Sequence, residues 1–169
     1  NLKIIEGKLN SKVTCEILKI LAPTIHFKLG HILNIPFDEN NFNYDEKIVE
    51  KLSELSKNDW DSFEISWDFS FNSLLSKENK FQKFKDIYQS LRNDWNQKTL
   101  LMKRLEKENN DFFINAYELN DEINSEVPLN EITLKCNPAY RYGKEISVKY
   151  QEEKLCIDTI KEFISYSVG

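Results

Sequence analysis

The side chains best suited to acid–base chemistry in this sequence are two histidines, His26 and His31, both within the stretch PTIHFKLGHILNIPF (23–37). Nucleophilic catalysis needs a Ser or Cys held against such a base, and no nucleophile motif adjoins either one. Their H-x4-H spacing, with no nearby Cys or paired acid, makes a poor metal signature. A second concentration of ionisable groups lies further on, where Asp59, Asp61, Glu64 and Asp68 alternate with Trp60, Phe63, Trp67, Phe69 and Phe71. Carboxylates between aromatics at a helix end serve mainly as caps and solvent-facing groups. The rings themselves are expected to be structural, so that truncating Trp67 or Phe69 would destabilise the fold. No catalytic, metal or cofactor-binding residue is expected.

The sequence Asn137-Pro138-Ala139-Tyr140 follows an alternating stretch, ITLKC. An Asn-Pro-Pro-Tyr-like loop after a strand serves amino-group methyl transfer: its Asn accepts from the target amine, and its ring stacks on the flipped base. Here the third position is Ala. No glycine-rich loop for S-adenosylmethionine precedes it, and the segments do not build a doubly wound sheet. A structural loop is the better reading.

Binding chemistry is better represented. Residues 77–107 carry nine Lys/Arg against four acids, between an acidic block at 38–68 (three Lys, ten acids) and another at 108–131 (seven acids, no base). The formal net charge is −5, so the basic block stands out against an acidic whole. Two roles suit it. The block can neutralise the 38–68 block across an antiparallel helix pair. Alternatively, Lys80, Lys83, Lys85, Arg92, Lys103 and Arg104 face outward as candidate DNA-phosphate contacts, adding salt-dependent affinity without sequence information.

The element that must position those cations is a long helix. Phe81, Phe84, Tyr88, Leu91, Trp95, Met102, Leu105, Phe112, Ala116 and Leu119 recur in steps of three and four, broken only at Lys98 and Asn109. A helix from about Lys77 to Leu119 would be ~60 Å long, and its apolar seam calls for a partner such as the helix predicted over 44–59. Residues 10–22 read as a helix stopped by Pro23, Thr24–Leu29 as a short strand, Ile132–Cys136 as another, and 152–168 as a final amphipathic helix; 146–150 alternate weakly. The expected class is mainly α with minor β (α+β): a heptad-patterned helix in an antiparallel helical spacer, plus short strands.

A hydrophobic fraction of 40% with 12% aromatics excludes a disordered chain, and four Gly and four Pro exclude collagen-like and turn-rich β classes. No apolar run approaches the ~18–20 residues that span a membrane. Cys15, Cys136 and Cys156 are odd in number and unpaired in spacing, which suits a reducing, cytoplasmic setting. The Asn1 start without Met suggests a piece of a longer protein.

Three segments carry a resemblance: PTIHFKLGHILNIPF (23–37), KNDWDSFEISWDFSFNSLL (57–75), and ITLKCNPAYRYG (132–143) with DTIKEFISYSVG (158–169). In this order, separated by a long helix with an acidic end, they resemble the adenine-specific DNA methyltransferases of BREX-type phage defence and their Type IIG restriction–modification relatives. The resemblance implies a fragment of such a methyltransferase. Residues 1–37 would close a target-recognition region, 38–125 would form a helical spacer, and 126–169 would lead onward. It implies no catalytic residue here, S-adenosylmethionine only in the parent, and double-stranded DNA as partner through the parent, with other defence-system subunits as further partners. The alternatives are a helical interaction scaffold of a defence complex that touches no DNA, and a stand-alone coiled-coil protein.

Overall fold

The computed structural model describes residues 2–22, 28–37, 43–75 and 83–169, and every regular element among them is helical. Seven α-helices run in chain order: α1 (Leu2–Leu9), α2 (Lys12–Leu21), α3 (Leu29–Leu33), α4 (Glu46–Trp60), α5 (Phe84–Ala116), α6 (Pro138–Tyr142) and α7 (Val148–Val168). The α+β expectation is therefore corrected: no strand occurs among the described residues. Most of the strand expected at Thr24–Leu29 lies outside them, and Leu29 itself opens α3. Most of the weakly alternating 146–150 segment is the first turn of α7, capped by the Ser147 side chain, which accepts from the Tyr150 amide.

The segment Ile132–Cys136 is the instructive case. Its alternation is real, with Ile132, Leu134 and Cys136 at 0%, 1% and 2% exposure. A strand also needs a second strand to receive its amides. Here that acceptor is a side chain: both carboxylate oxygens of Asp59, near the end of α4, accept from the Lys135 amide (2.6 Å) and the Cys136 amide (3.1 Å).

The long heptad-patterned helix is present and uninterrupted through Lys98 and Asn109. It ends in a Schellman arrangement, with Leu119 N–H bonded to Ile114 O (2.9 Å), Glu118 N–H to Asn115 O (3.1 Å), and Glu118 left-handed at φ 58°. A non-glycine residue there costs ~1–2 kcal/mol, and it turns the chain before the stripe's last member, Leu119.

The chain divides into two units, each drawing on part of α4 and part of α5: 1–53 with 104–127, and 54–103 with 128–169. In the first, Ile4, Val13, Phe113 and Ile114 form the buried core, with Tyr44, Phe112 and Tyr117 against it. Asn109, where the apolar stripe breaks, is 2% exposed and acts as a clamp: its amide donates to Gly7 O (2.9 Å) and accepts from the Tyr44 hydroxyl (2.6 Å). Asn110 repeats the device, accepting from the Lys12 amide (2.9 Å) and donating to Ser125 O (3.2 Å). Gly7 is required by this closeness, since a Cβ there would lie 2.5 Å from the Tyr44 hydroxyl. Lys8 is buried, donates to Ile35 O (3.3 Å) and Pro36 O (2.9 Å), and is shifted below its ordinary pKa by desolvation.

In the second unit, Leu55, Leu74, Met102, Ile132, Leu134, Cys136 and Leu155 are buried. The expected antiparallel partner of the long helix was 44–59. Tyr44 of that segment does meet Asn109 and Phe112 near the end of α5, while the side chains of the first turns of α5 meet α7, in antiparallel order: Phe84 with Phe163 (6.4 Å between rings), Tyr88 beside Cys156, and Arg92 with Glu152 (2.6 and 2.7 Å).

The aromatic segment also departs from expectation. Phe69 packs edge-on against Tyr166 at 5.7 Å, but Trp67 is fully exposed. Its loop is ordered by polar contacts instead: Ser66 Oγ donates to Asp61 (2.6 Å), and Lys57 bridges Asp61 and Asp68 (2.6 Å each). Trp67→Ala is therefore expected to leave the melting temperature unchanged. Phe113→Ala, at 0% exposure, is expected to cost ~3–5 kcal/mol. Thermal unfolding followed by circular dichroism checks both, and a large loss at Trp67 would contradict the exposure.

Candidate DNA-phosphate interface

Along α5 a residue advances about 100°, so steps of seven and eleven residues return to the same face. Lys85, Arg92 and Lys103 are related by such steps and form one line in the second unit. Lys83 immediately precedes the helix, and both Lys83 and Lys85 are exposed. Lys103 is half-buried. Arg104, in the first unit, is exposed and holds Glu108 one turn on at 3.6 Å. Lys80 lies outside the described residues.

Arg92 differs from its neighbours. Its Nε and Nη2 donate to the two oxygens of Glu152 in a bidentate pair, and its side chain is 19% exposed. The Glu152 carboxylate, opposed by desolvation, raises the guanidinium above its ordinary pKa. Such a fork is short and directional, so Arg92 joins α5 to α7 rather than standing open to a ligand. Lys83 and Lys85 stand open to solvent. Arg104's solvent-exposed i,i+4 pair is worth only ~0.3–0.5 kcal/mol.

The Asn-Pro-Ala-Tyr sequence has a structural occupation. Asn137 is 2% exposed and caps α6: its side-chain oxygen accepts from the Ala139 amide (3.1 Å), and its Nδ2 donates to Leu129 O (2.7 Å) and Ile132 O (2.9 Å). Pro138 fills the first helical position, where its missing N–H costs nothing. The amide that amino-group methyl transfer would need is spent on backbone, so Asn137 is not placed to hold a target amine. His31 sits half-buried in α3, its Nδ1 accepting from the Lys28 amide (3.4 Å). His26 lies outside the described residues. Among the described residues, no group of three or more His, Cys, Asp or Glu could hold a metal ion. No helix among them is long and apolar enough to cross a membrane.

Charge and spacing had singled out the α5 cations. They did not reveal that Lys135, Arg141 and Lys154 lie against aromatic rings: Lys135 Nζ is 4.7 Å from the ring centroids of both Trp60 and Phe63. The signal available was the YRY of the loop and the aromatic run at 60–71. Nothing in either gives the pairing, which depends on Asp59 fixing the 135–136 backbone.

No protein-family model matches the chain. Its resemblance to adenine-specific methyltransferases is nonetheless found over nearly the full length. It is 31% identical over 164 residues to adenine-specific methyltransferase PglX of Lacticaseibacillus casei (strain Zhang) and 32% identical over a 171-residue alignment to adenine-specific methyltransferase BrxX of Escherichia coli O9:H4 (strain HS), each alignment covering 95% of this chain. The chain spans 12% and 13% of those relatives' lengths. It is thus similar to one segment of such proteins.

Removing the Asp59 carboxylate strands two amides. Asp59→Ala is expected to destabilise the chain by about 2–4 kcal/mol, and Asp59→Asn, which keeps one acceptor, by roughly half as much. Urea unfolding of the two variants checks this. Equal stability of Asp59→Ala and the parent would mean the carboxylate does not hold the 135–136 backbone.

Proposed function

We propose that this chain is a non-catalytic DNA-recognition and spacer segment of a site-specific adenine-N6 DNA methyltransferase in a BREX or restriction–modification defence system. The observation that carries the reading is similarity to two adenine-specific methyltransferases along 95% of the chain, confined to 12–13% of their length. An accessory segment fits that proportion. Methyl transfer, S-adenosylmethionine binding and most base reading fall to the rest of the parent protein.

Within this reading, residues 1–37 close a target-recognition region and α5 belongs to the spacer that follows. Lys83, Lys85, Lys103 and Arg104 supply phosphate contacts, whereas Arg92 holds α5 to α7. With only three Arg in the sequence, two of them in ion pairs with α7, bidentate guanine readout is a minor part of its chemistry. The contacts hold DNA in place without specifying its sequence.

Binding to duplex DNA is measured across a salt series for the chain and for its Lys85→Gln/Lys103→Gln variant. The reading expects a salt-dependent affinity indifferent to sequence, with the slope reduced by ~0.9 for each lost contact. Arg92→Gln is expected to lower the melting temperature and leave the slope alone. An unchanged slope in the double lysine variant would remove α5 from the DNA interface.

A further inference from the structure

Rings and cations alternate across the surface of the second unit. Lys135 Nζ lies 4.7 Å from the centroids of Trp60 and Phe63, Arg141 Cζ lies 5.7 Å from Phe63 and 5.5 Å from Tyr142, and Lys154 Nζ lies 4.8 Å from Tyr142. Three cations from different parts of the chain are thereby set in one row, with Trp60 at its end still 48% exposed. Asp59 fixes one end through the Lys135 amide, and Asp158 fixes the middle by accepting from the Tyr142 hydroxyl at 2.8 Å.

The three cations are not equivalent. Arg141 is answered by Glu162 at 2.7 Å and Asp158 at 3.9 Å. Lys135 and Lys154 have no carboxylate within ion-pair distance among the described residues; the surfaces that hold their ammonium groups are rings. An aromatic face attracts a cation through its quadrupole but neutralises none of its charge. Each ammonium also has three donors, and a ring engages one side of it. Contact with a ring restricts each ammonium, so an incoming anion meets a cation with less side-chain entropy left to lose.

We propose that this row is a second DNA-backbone site, in which Lys135 and Lys154 each contact a phosphate, Arg141 holds the rings between them, and Trp60 offers an aromatic edge at the end. The site is separate from the line of lysines on α5, and the proposal rests on the reading of this chain as a DNA-contacting segment. A polyanion suits the row better than a single ligand would, because two uncompensated cations stand on either side of a compensated one.

The test is a salt titration of a fluorescein-labelled mixed-sequence duplex against the full chain and three double variants: Lys135→Gln/Lys154→Gln, Lys135→Arg/Lys154→Arg, and Lys85→Gln/Lys103→Gln. The Gln pair in the row is expected to lower the slope by about 1.8, two contacts' worth, with circular dichroism unchanged. The Arg pair, which keeps charge and stacks on the same rings, is expected to retain it, so a loss through misfolding is told apart from a loss of contact. A slope unchanged in the Gln pair but reduced in the α5 pair would overturn the row and leave the α5 reading standing. Absence of any salt-dependent DNA binding by the wild-type chain would overturn both. Polyglutamate, titrated in parallel, is expected to bind more weakly; equal affinity that is lost in the same Gln pair would assign the row to an acidic protein and overturn the DNA proposal.

Discussion

The Asp59 carboxylate organises the second unit. It stands one residue from the end of α4 and takes two consecutive backbone amides, those of Lys135 and Cys136, from a segment that has no strand beside it. Without such an acceptor, two amides in a largely buried stretch would each lack a partner, at a cost of ~1–3 kcal/mol apiece. Once they are held, Ile132, Leu134 and Cys136 turn inward, Lys135 is placed over Trp60 and Phe63, and Asn137 falls where it can cap α6. A short helix of five residues then carries Arg141 and Tyr142 to the acids of α7. Buried Cys136 itself is pushed far above its ordinary thiol pKa by desolvation and by the neighbouring Asp59 charge. That thiol is structural.

The same logic separates what the sequence disclosed from what it concealed. The long apolar stripe announced α5 correctly because helical periodicity is a local property, readable residue by residue. Its interruption at Asn109 looked like a flaw in register and proved to be a buried polar clamp on Gly7, 102 positions away, and on Tyr44, 65 positions away. Ile132–Cys136, expected as a strand, does bury alternate residues. It failed as a strand because the partner that completes a strand is non-local, and here a carboxylate took that place. Trp67 was misjudged for a related reason. A hydrophobic side chain in an aromatic run predicts burial only if backbone geometry turns it inward, and the Ser66, Asp61 and Lys57 contacts turn that loop the other way.

The candidate site follows the same division. Charge blocks identified the α5 lysines, since formal charge is written in the composition of a segment. Which of those charges remain open to a ligand is decided by tertiary contacts, and Arg92 is committed to Glu152 for a reason no local pattern contains. Lys135 and Lys154 show the converse. Each is an unremarkable lysine in sequence, yet it lies against rings and, among the described residues, has no carboxylate within ion-pair distance. Under the proposed function these cations meet a DNA backbone, and a spacer that also grips it contributes affinity while leaving base reading to other parts of the protein.

Lysine reactivity tests that account at residue level. The chain is acetylated with a limiting amine-reactive ester, alone and in the presence of duplex DNA at low salt, and each lysine is quantified by mass spectrometry. The account predicts protection of Lys85, Lys103, Lys135 and Lys154 by DNA, with exposed Lys47 on α4 modified to the same extent in both samples. Equal modification of all five lysines with and without DNA would contradict it.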